Sequence, residues 1–210
     1  MSAETNLNAI FDAERSLRRA ESELLKEKPS EVSALLSKAV ADAKAMADSN
    51  PTESELRLTR LSDLCAQVPG ATMVEALIAI LDDEQPTVRV QAAEALVDVA
   101  FDRYAEVARG IERVLDKQHS GPAMQELPWV IAEIAEPSAV PLISRFLTHS
   151  DAEVIASAIE ALLRIGDPGA APVLRKLVDD PRVVVVEEGD EEFTSTLGEL
   201  ASQALDELAE

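Results

Sequence analysis

Catalysis and metal binding need nucleophiles, bases or clustered ligands, and this sequence is sparing with all of them. Its only histidines are His119 and His149, and its only cysteine is Cys65. One cysteine excludes an intrachain disulfide framework and a cysteine-based zinc site. Neither histidine sits with a serine or cysteine in a recognisable nucleophile motif. His119 reads as a residue of a polar loop. His149 follows an apolar pair and reads as a helix C-terminal residue, where the helix dipole tolerates a cation. Gly169 is isolated, and no glycine-rich phosphate loop exists. The run Glu187-Glu188-Gly189-Asp190-Glu191-Glu192 is rich in oxygen but lacks the spaced ligands of a calcium loop. No catalytic, cofactor or metal residue is assigned, and the expectation is a protein that is not an enzyme.

What the chain does offer is a repeat. Val130 through Ile143 match Ala161 through Leu174 at an offset of 31 residues, with Pro137 and Pro141 aligned on Pro168 and Pro172. The pair Phe146-Leu147 returns as Leu177-Val178, and earlier as Val114-Leu115 and Ile80-Leu81, at intervals of 34, 32 and 31 residues. A period of this size means stacked supersecondary units rather than one closed globule. In this register Cys65 aligns with Leu96, Ile131 and Leu162, which predicts a small buried hydrophobe with an inert thiol.

The same register singles out two candidate partner-binding features. Trp129, the only tryptophan, aligns with Asp63, Glu94, Glu160 and Gln203, all polar, so its position faces solvent in the other copies. Exposed tryptophan is enriched at binding hot spots, although Pro128 just before it offers a way to turn the ring inward. Arg113, Arg145 and Lys176 share one register on successive second helices, with Ala79 in the first unit. Such a ladder would either meet an acidic peptide or pair with acids on the adjacent helices.

The elements that must position these residues are helices. Leu7, Ile10, Phe11, Leu17, Leu24 and Leu25 recur at helical spacing over 4–28. Pro29 interrupts, and Val32, Leu35, Leu36, Ala39, Val40, Ala43 and Met46 predict a second helix over 30–48. Asp48-Ser49-Asn50-Pro51 ends it with turn-favouring residues before a proline. The reading is an N-terminal helical hairpin over 1–50, then a repeat region over 51–210 with units near 52–85, 86–120, 121–151 and 152–180. Each unit reads as two helices. Gly166 suits a helix C-terminus, Asp167 a cap and Pro168 a first helical position. Residues 181–194 break the pattern as an acidic insertion, and the β-branched run Val183–Val186 predicts a short hairpin or extended loop. Aligning Ala158, Ala161 and Leu162 with Ala201, Ala204 and Leu205 gives an offset of 43, one repeat plus the insertion. A helix over 195–209 follows. The insertion is expected to cap the open end of the stack or to carry a binding element.

Pro86-Thr87-Val88-Arg89-Val90-Gln91-Ala92-Ala93-Glu94-Ala95-Leu96 and Ile165-Gly166-Asp167-Pro168-Gly169-Ala170-Ala171-Pro172-Val173-Leu174 resemble HEAT-like repeats, closest to the short type also found in phycobilin lyases. The resemblance spans about 51–180, arguably to 210, and not 1–50. It implies an all-α fold, a HEAT-like α-α superhelix or solenoid behind the N-terminal hairpin. It also implies that second helices line the concave face and that the protein binds other proteins.

Composition narrows the partners. The 210 residues carry 19 Lys plus Arg against 40 Asp plus Glu, a net charge of −21. That balance disfavours sequence-independent nucleic-acid binding, which releases counterions from a basic surface, and docking on anionic lipid. The acidic start (Glu4, Asp12, Glu14) has no apolar leader stretch, and no apolar run reaches membrane length, so a cytoplasmic location is expected. The function expected is a non-enzymatic protein–protein interaction scaffold or adaptor. The alternatives are an accessory subunit or lyase resembling phycobilin lyases, and a structural protein that oligomerises through its N-terminal hairpin or the end of its stack.

Overall fold

The computed structural model describes residues 2–134, 136–188 and 191–209, without the side chains of Glu187, Glu188, Glu191 and Glu192. Prolines and short polar residues punctuate the chain into helices. Pro29, Pro51 and Pro86 occupy the first turns of α2 (Pro29–Lys44), α3 (Pro51–Gln67) and α5 (Pro86–Asp116), where a missing N–H leaves no bond unmade. Asn50 caps α3, and Asp151 caps α8 (Ala152–Ile165). Thr196 and Glu199 form a reciprocal capping box at the start of α10 (Leu197–Glu207), closing with bonds of 2.8 and 3.1 Å.

The remaining elements are α1 (Ala3–Leu24), α4 (Ala71–Leu81), α6 (Ala123–Ala132), α7 (Ala139–Ser144) and α9 (Ala171–Leu174). Strands β1 (Val183–Glu188) and β2 (Glu191–Thr196) pair antiparallel, with Val186 opposite Phe193. The second helices of the later units are short. α7 runs on into a 3-10 turn over Phe146–Thr148, and a 3-10 turn over Pro168–Ala170 leads into α9. Asp167 caps that turn through the Gly169 N–H at 2.8 Å, and Gly166 ends α8 in the left-handed region at φ 68°, as the sequence predicts.

The unit over 86–120 holds a difference from the expected pair of separate helices. α5 is one hydrogen-bonded run bent at Arg103, whose backbone is non-helical (φ −142°, ψ 47°). The Arg103 guanidinium donates to the Ala66 carbonyl at the end of α3 and pairs with Glu106 at 3.5 Å. The bend does the work of an inter-helix loop.

First helices stack in the order α3, the first half of α5, α6, α8 and α10. α2, α4, the second half of α5, α7 and α9 lie behind them. α4 is apolar on nearly every side and is correspondingly buried, from Ala71 through Leu81. Gly110 lets the second half of α5 close on α4, because a Cβ there would strike Val74. Cys65, Leu96, Ile131 and Leu162 are all 1% exposed or less, so these four register positions lie in one core.

The N-terminal helices differ in their burial. α2 buries Val32, Leu36, Val40 and Ala43, packing on α3 and α4, whereas α1 buries no residue. At the other end the hairpin turns Val184 into the core and packs Val186 against it, leaving Val183 and Val185 exposed. The Val185 N–H donates to Glu153 of α8 at 3.3 Å.

Candidate interaction surface

Residues spaced by three, four and seven share one side of a helix. On the first half of α5 this rule groups Val90, Glu94, Val97 and Phe101. The opposite side of the same turns holds Val88, Ala92, Ala95, Leu96 and Val99, which are buried. Val90 is 57% exposed and Phe101 80% exposed, and Val97 is half-buried. An apolar stripe therefore runs along the outer side of α5, with Val97 packed in part against the core and Val90 and Phe101 exposed.

α6 lies beside it. A groove of about 470 Å³ separates the two helices, with Ala93, Val97, Val130 and Trp129 giving it apolar walls and Glu94, Asp98, Glu126 and Glu133 its acidic rim. Trp129 is half-buried, placed between the fully outward and fully inward positions that the sequence leaves open. Pro128 sits inside α6, which continues past it. The Arg164 guanidinium stands 5.9 Å from the indole centroid, and Arg164 pairs with Glu133 at 2.6 Å. Cation and ring attract through the ring quadrupole, so the indole is held from the α8 side while it lines the groove on the α5 side.

Similar furrows lie between other first helices. One of about 320 Å³ between α3 and α5 is lined by Asp63, Glu94, Asp98 and Asp102, with Arg103. A smaller one between α8 and α10 meets the hairpin at Val186 and Phe193 and contains Glu160. Burial, then the nearby Glu153, raises the Glu160 carboxyl above its usual range. The face of the first helices is thus furrowed, apolar at its floors and acidic along its edges.

The basic ladder is placed differently. Arg113 pairs with Glu75 of α4 at 3.1 Å, and Lys117 joins the same carboxylate at 2.5 Å. Arg145 pairs with Asp116 at 2.6 Å and Glu112 at 3.4 Å, both on α5. Each of these arginines reaches one unit back and ties successive second helices together. Lys176 lies on the exposed turn after α9. Burial works against ionising Glu75, but its bonds to Lys117 and Arg113 outweigh it and hold the carboxyl below its usual range. The structure does not bring the ladder and Trp129 to a common site, because they sit on the second and first helices.

Both histidines lie in loops that follow second helices. His119 pairs with Asp82, whose other carboxylate oxygen accepts the Ala123 N–H at 2.8 Å. The His149 ring donates to the His119 carbonyl at 3.0 Å and accepts the Asp151 N–H at 3.1 Å. Burial pushes the Cys65 thiol up to about 12. In the acidic run, Gly189 and Asp190 lie outside the described residues, as do the side chains of its four glutamates. Among the described residues, no helix is long and apolar enough to cross a membrane.

Phe101 and Val90 are the surface residues that the register passed over. Their signal was available: a second apolar stripe, Val90, Val97 and Phe101, at seven- and four-residue spacing on a helix whose core stripe was already complete.

Residues 125–189 match the family model for HEAT repeats. That match reaches HEAT repeats and nothing narrower, so it does not show the phycobilin-lyase type. No curated protein matches. Similar solved structures include an engineered protein at 18% identity and TM-score 0.35, covering 90% of this chain and 96% of its own. A second engineered protein matches at 21% and 0.35, covering 91% and 57%. A designed armadillo repeat protein matches at 16% and 0.36, covering 90% and 98%. The fold is helical apart from one short hairpin, and residues 125–189 within it carry HEAT repeats.

Proposed function

We propose that this HEAT-like solenoid is a non-enzymatic interaction module that takes an amphipathic, basic segment of a protein partner along the α5–α6 groove. Helical repeats stack into extended surfaces suited to such partners. The observation that supports the reading is the groove walled by Val97 and Trp129 and bordered by Glu94, Asp98, Glu126 and Glu133, with the exposed Val90 and Phe101 on the same side of α5 as Val97. A partner helix with apolar anchors at the matching spacing and Lys or Arg on its flanks fits both features. Trp129 and Phe101 act as anchors, and the acids orient the partner and speed its approach. In this reading Arg113 and Arg145 serve as struts rather than contacts, since their charges are already met by acids. Residue types for chemistry have no part in the mechanism, and a cytoplasmic setting accompanies it.

Because Trp129 is the sole tryptophan, its emission reports the groove directly. A titration with a helical Leu/Lys peptide and its Leu/Glu counterpart tests the reading. The Lys peptide should shift the emission to shorter wavelength, saturate, and lose most of its affinity with Phe101→Ser. Equal response to both peptides, or an undiminished response in Phe101→Ser, rejects the groove as the site.

A further inference from the structure

We propose that the pocket where α8, α10 and the β-hairpin meet takes a primary ammonium group on a short unbranched alkyl chain, the chemistry shared by a lysine side chain and a free alkylamine. The space is about 160 Å³, close to the ~150 Å³ that seats a benzene-sized guest inside a protein. Ile159 of α8 and Ala204 of α10 line it and are buried, and Leu163 and Leu200 line it half-buried. The hairpin supplies Val186 and Phe193, which stand opposite one another and so share a face. It is the face that turns Val184 into the core, yet Phe193 remains 45% exposed. Phe193 thus lies on the inner face of the hairpin without a full set of neighbours, and the pocket is the space they would fill.

The pocket holds a carboxyl that no cation meets. Glu160 lines it, and burial and the neighbouring Glu153 raise that carboxyl with no donor or cation acting the other way. Glu153 is itself engaged by the Val185 N–H at 3.3 Å. Arg164, one turn along α8 and spaced to pair with Glu160, is turned to α6 instead, where it pairs with Glu133 at 2.6 Å. A half-buried carboxylate without a partner costs free energy, and a cation entering the pocket removes that cost. Gln203 lines the same space. Its amide nitrogen donates to Glu207 at 3.0 Å, which leaves its carbonyl oxygen as a second acceptor.

Each part of the pocket matches a part of such a ligand. An ammonium group donates hydrogen bonds and accepts none, and Glu160 and Gln203 offer it acceptors. The Phe193 ring offers its negative face to the same charge. The methylenes lie against Leu163, Leu200 and Val186, as the stem of a lysine ordinarily packs on apolar surface. A carboxylate or phosphate would meet Glu160 with like charge, and an uncharged apolar ligand would leave it unmet. No lining residue is shared with the α5–α6 groove, so the two sites stand or fall separately.

NMR titration of the full chain with n-pentylammonium, read at the methyl groups of Leu163, Leu200 and Val186, tests the assignment. A chain at −21 draws any cation, so methylammonium measures the charge without the stem, and n-pentanol the stem without the charge. The expected result is saturable shifts at these methyls with n-pentylammonium, with a Kd of about millimolar for so small a ligand, and much weaker binding of either control. Glu160→Gln should fold, melt no lower than wild type at neutral pH, and lose about tenfold in affinity, the scale of one charge-assisted bond. Phe193→Ser should weaken binding as well. Nα-acetyl-lysine methylamide separates the two sources of the ligand: binding as tight as that of n-pentylammonium assigns the pocket to a lysine of a protein partner, and weaker binding assigns it to a free alkylamine. Shifts that do not saturate overturn the proposal, as does either control binding as tightly as the amine. So does undiminished affinity in Glu160→Gln or in Phe193→Ser.

Discussion

The Nε2–H of His149 donates to the backbone carbonyl of His119 across 3.0 Å, joining the loop that follows the second half of α5 to the loop that follows α7. The contact is one link of a longer chain. His119 pairs with Asp82 in the loop after α4, and the Arg182 guanidinium, after α9, reaches the His149 and Ser150 carbonyls at 3.4 and 3.5 Å. Asp180 fixes Arg182 at 2.6 Å, and that bond holds the Asp180 carboxyl below its usual range. Four successive inter-unit loops are thereby tied along one edge. In a solenoid each unit touches only its neighbours, so links between loops limit the hinging of one unit on the next.

Replacing His149 by Phe keeps the bulk of the ring and removes both bonds. The expected loss is about 1 kcal/mol, the usual scale of a hydrogen bond, or about 2–4 °C in Tm for a chain of this size. Calorimetry that shows no change would mean that the loop edge carries no stability.

Trp129→Ala and Phe101→Ala should each weaken partner binding, by about 2 kcal/mol if they act as hot spots. Phe101→Ala should leave the urea midpoint almost unmoved, because 80% of the residue already faces solvent. Binding measured by calorimetric titration separates this from a general loss of fold.

Changing Arg113, Arg145 and Lys176 to Glu should lower stability while leaving affinity for a basic segment intact. Exposed pairs of this kind contribute about 0.2–1 kcal/mol each. The Glu75 carboxyl is lowered in the folded state by Lys117 and Arg113 against the opposing effect of burial. Its contribution is present above the ordinary carboxylate range and is lost as pH falls through the lowered value. The destabilisation by Glu75→Gln should therefore be seen at neutral pH and fade in acid. A triple variant that melts as wild type but loses the partner would return the ladder to the binding surface.

Glu160 carries the opposite sign. Burial and the neighbouring Glu153 raise its carboxyl in the folded state, so its favourable contribution belongs to the protonated form and is lost as pH rises through the raised value. Glu160→Gln should stabilise the protein at neutral pH by about 0.5 kcal/mol, the scale of a surface change. The gain should shrink towards zero as pH falls. Melting curves across this range decide, and a variant less stable than wild type at neutral pH contradicts the assignment.

Cys65 should resist alkylation in the native protein, with its thiol 1% exposed and pushed up to about 12. Labelling should track global unfolding in denaturant. Ready labelling of the folded chain would break the register that aligns it with Leu96, Ile131 and Leu162.

The sequence by itself determined the repeat, because apolar spacing and proline punctuation are local properties. Four core positions 31–35 residues apart, from Cys65 to Leu162, emerge buried, and Gly166, Asp167 and Pro168 take the roles their backbone preferences dictate. It also located Trp129 by its odd place among polar equivalents. Tertiary structure decided what spacing cannot express. Whether Arg113 and Arg145 are free or spent depends on acids at Glu75, Glu112 and Asp116, which only stacking brings within 4 Å. The bend at Arg103 depends on a carbonyl of α3, and the half-buried pose of Trp129 on Arg164 from the next unit. The loop chain through His119 and His149 joins residues 30 apart in sequence. Each of these is a contact between neighbouring units, and a periodic pattern carries no record of which side chains two adjacent helices present to one another.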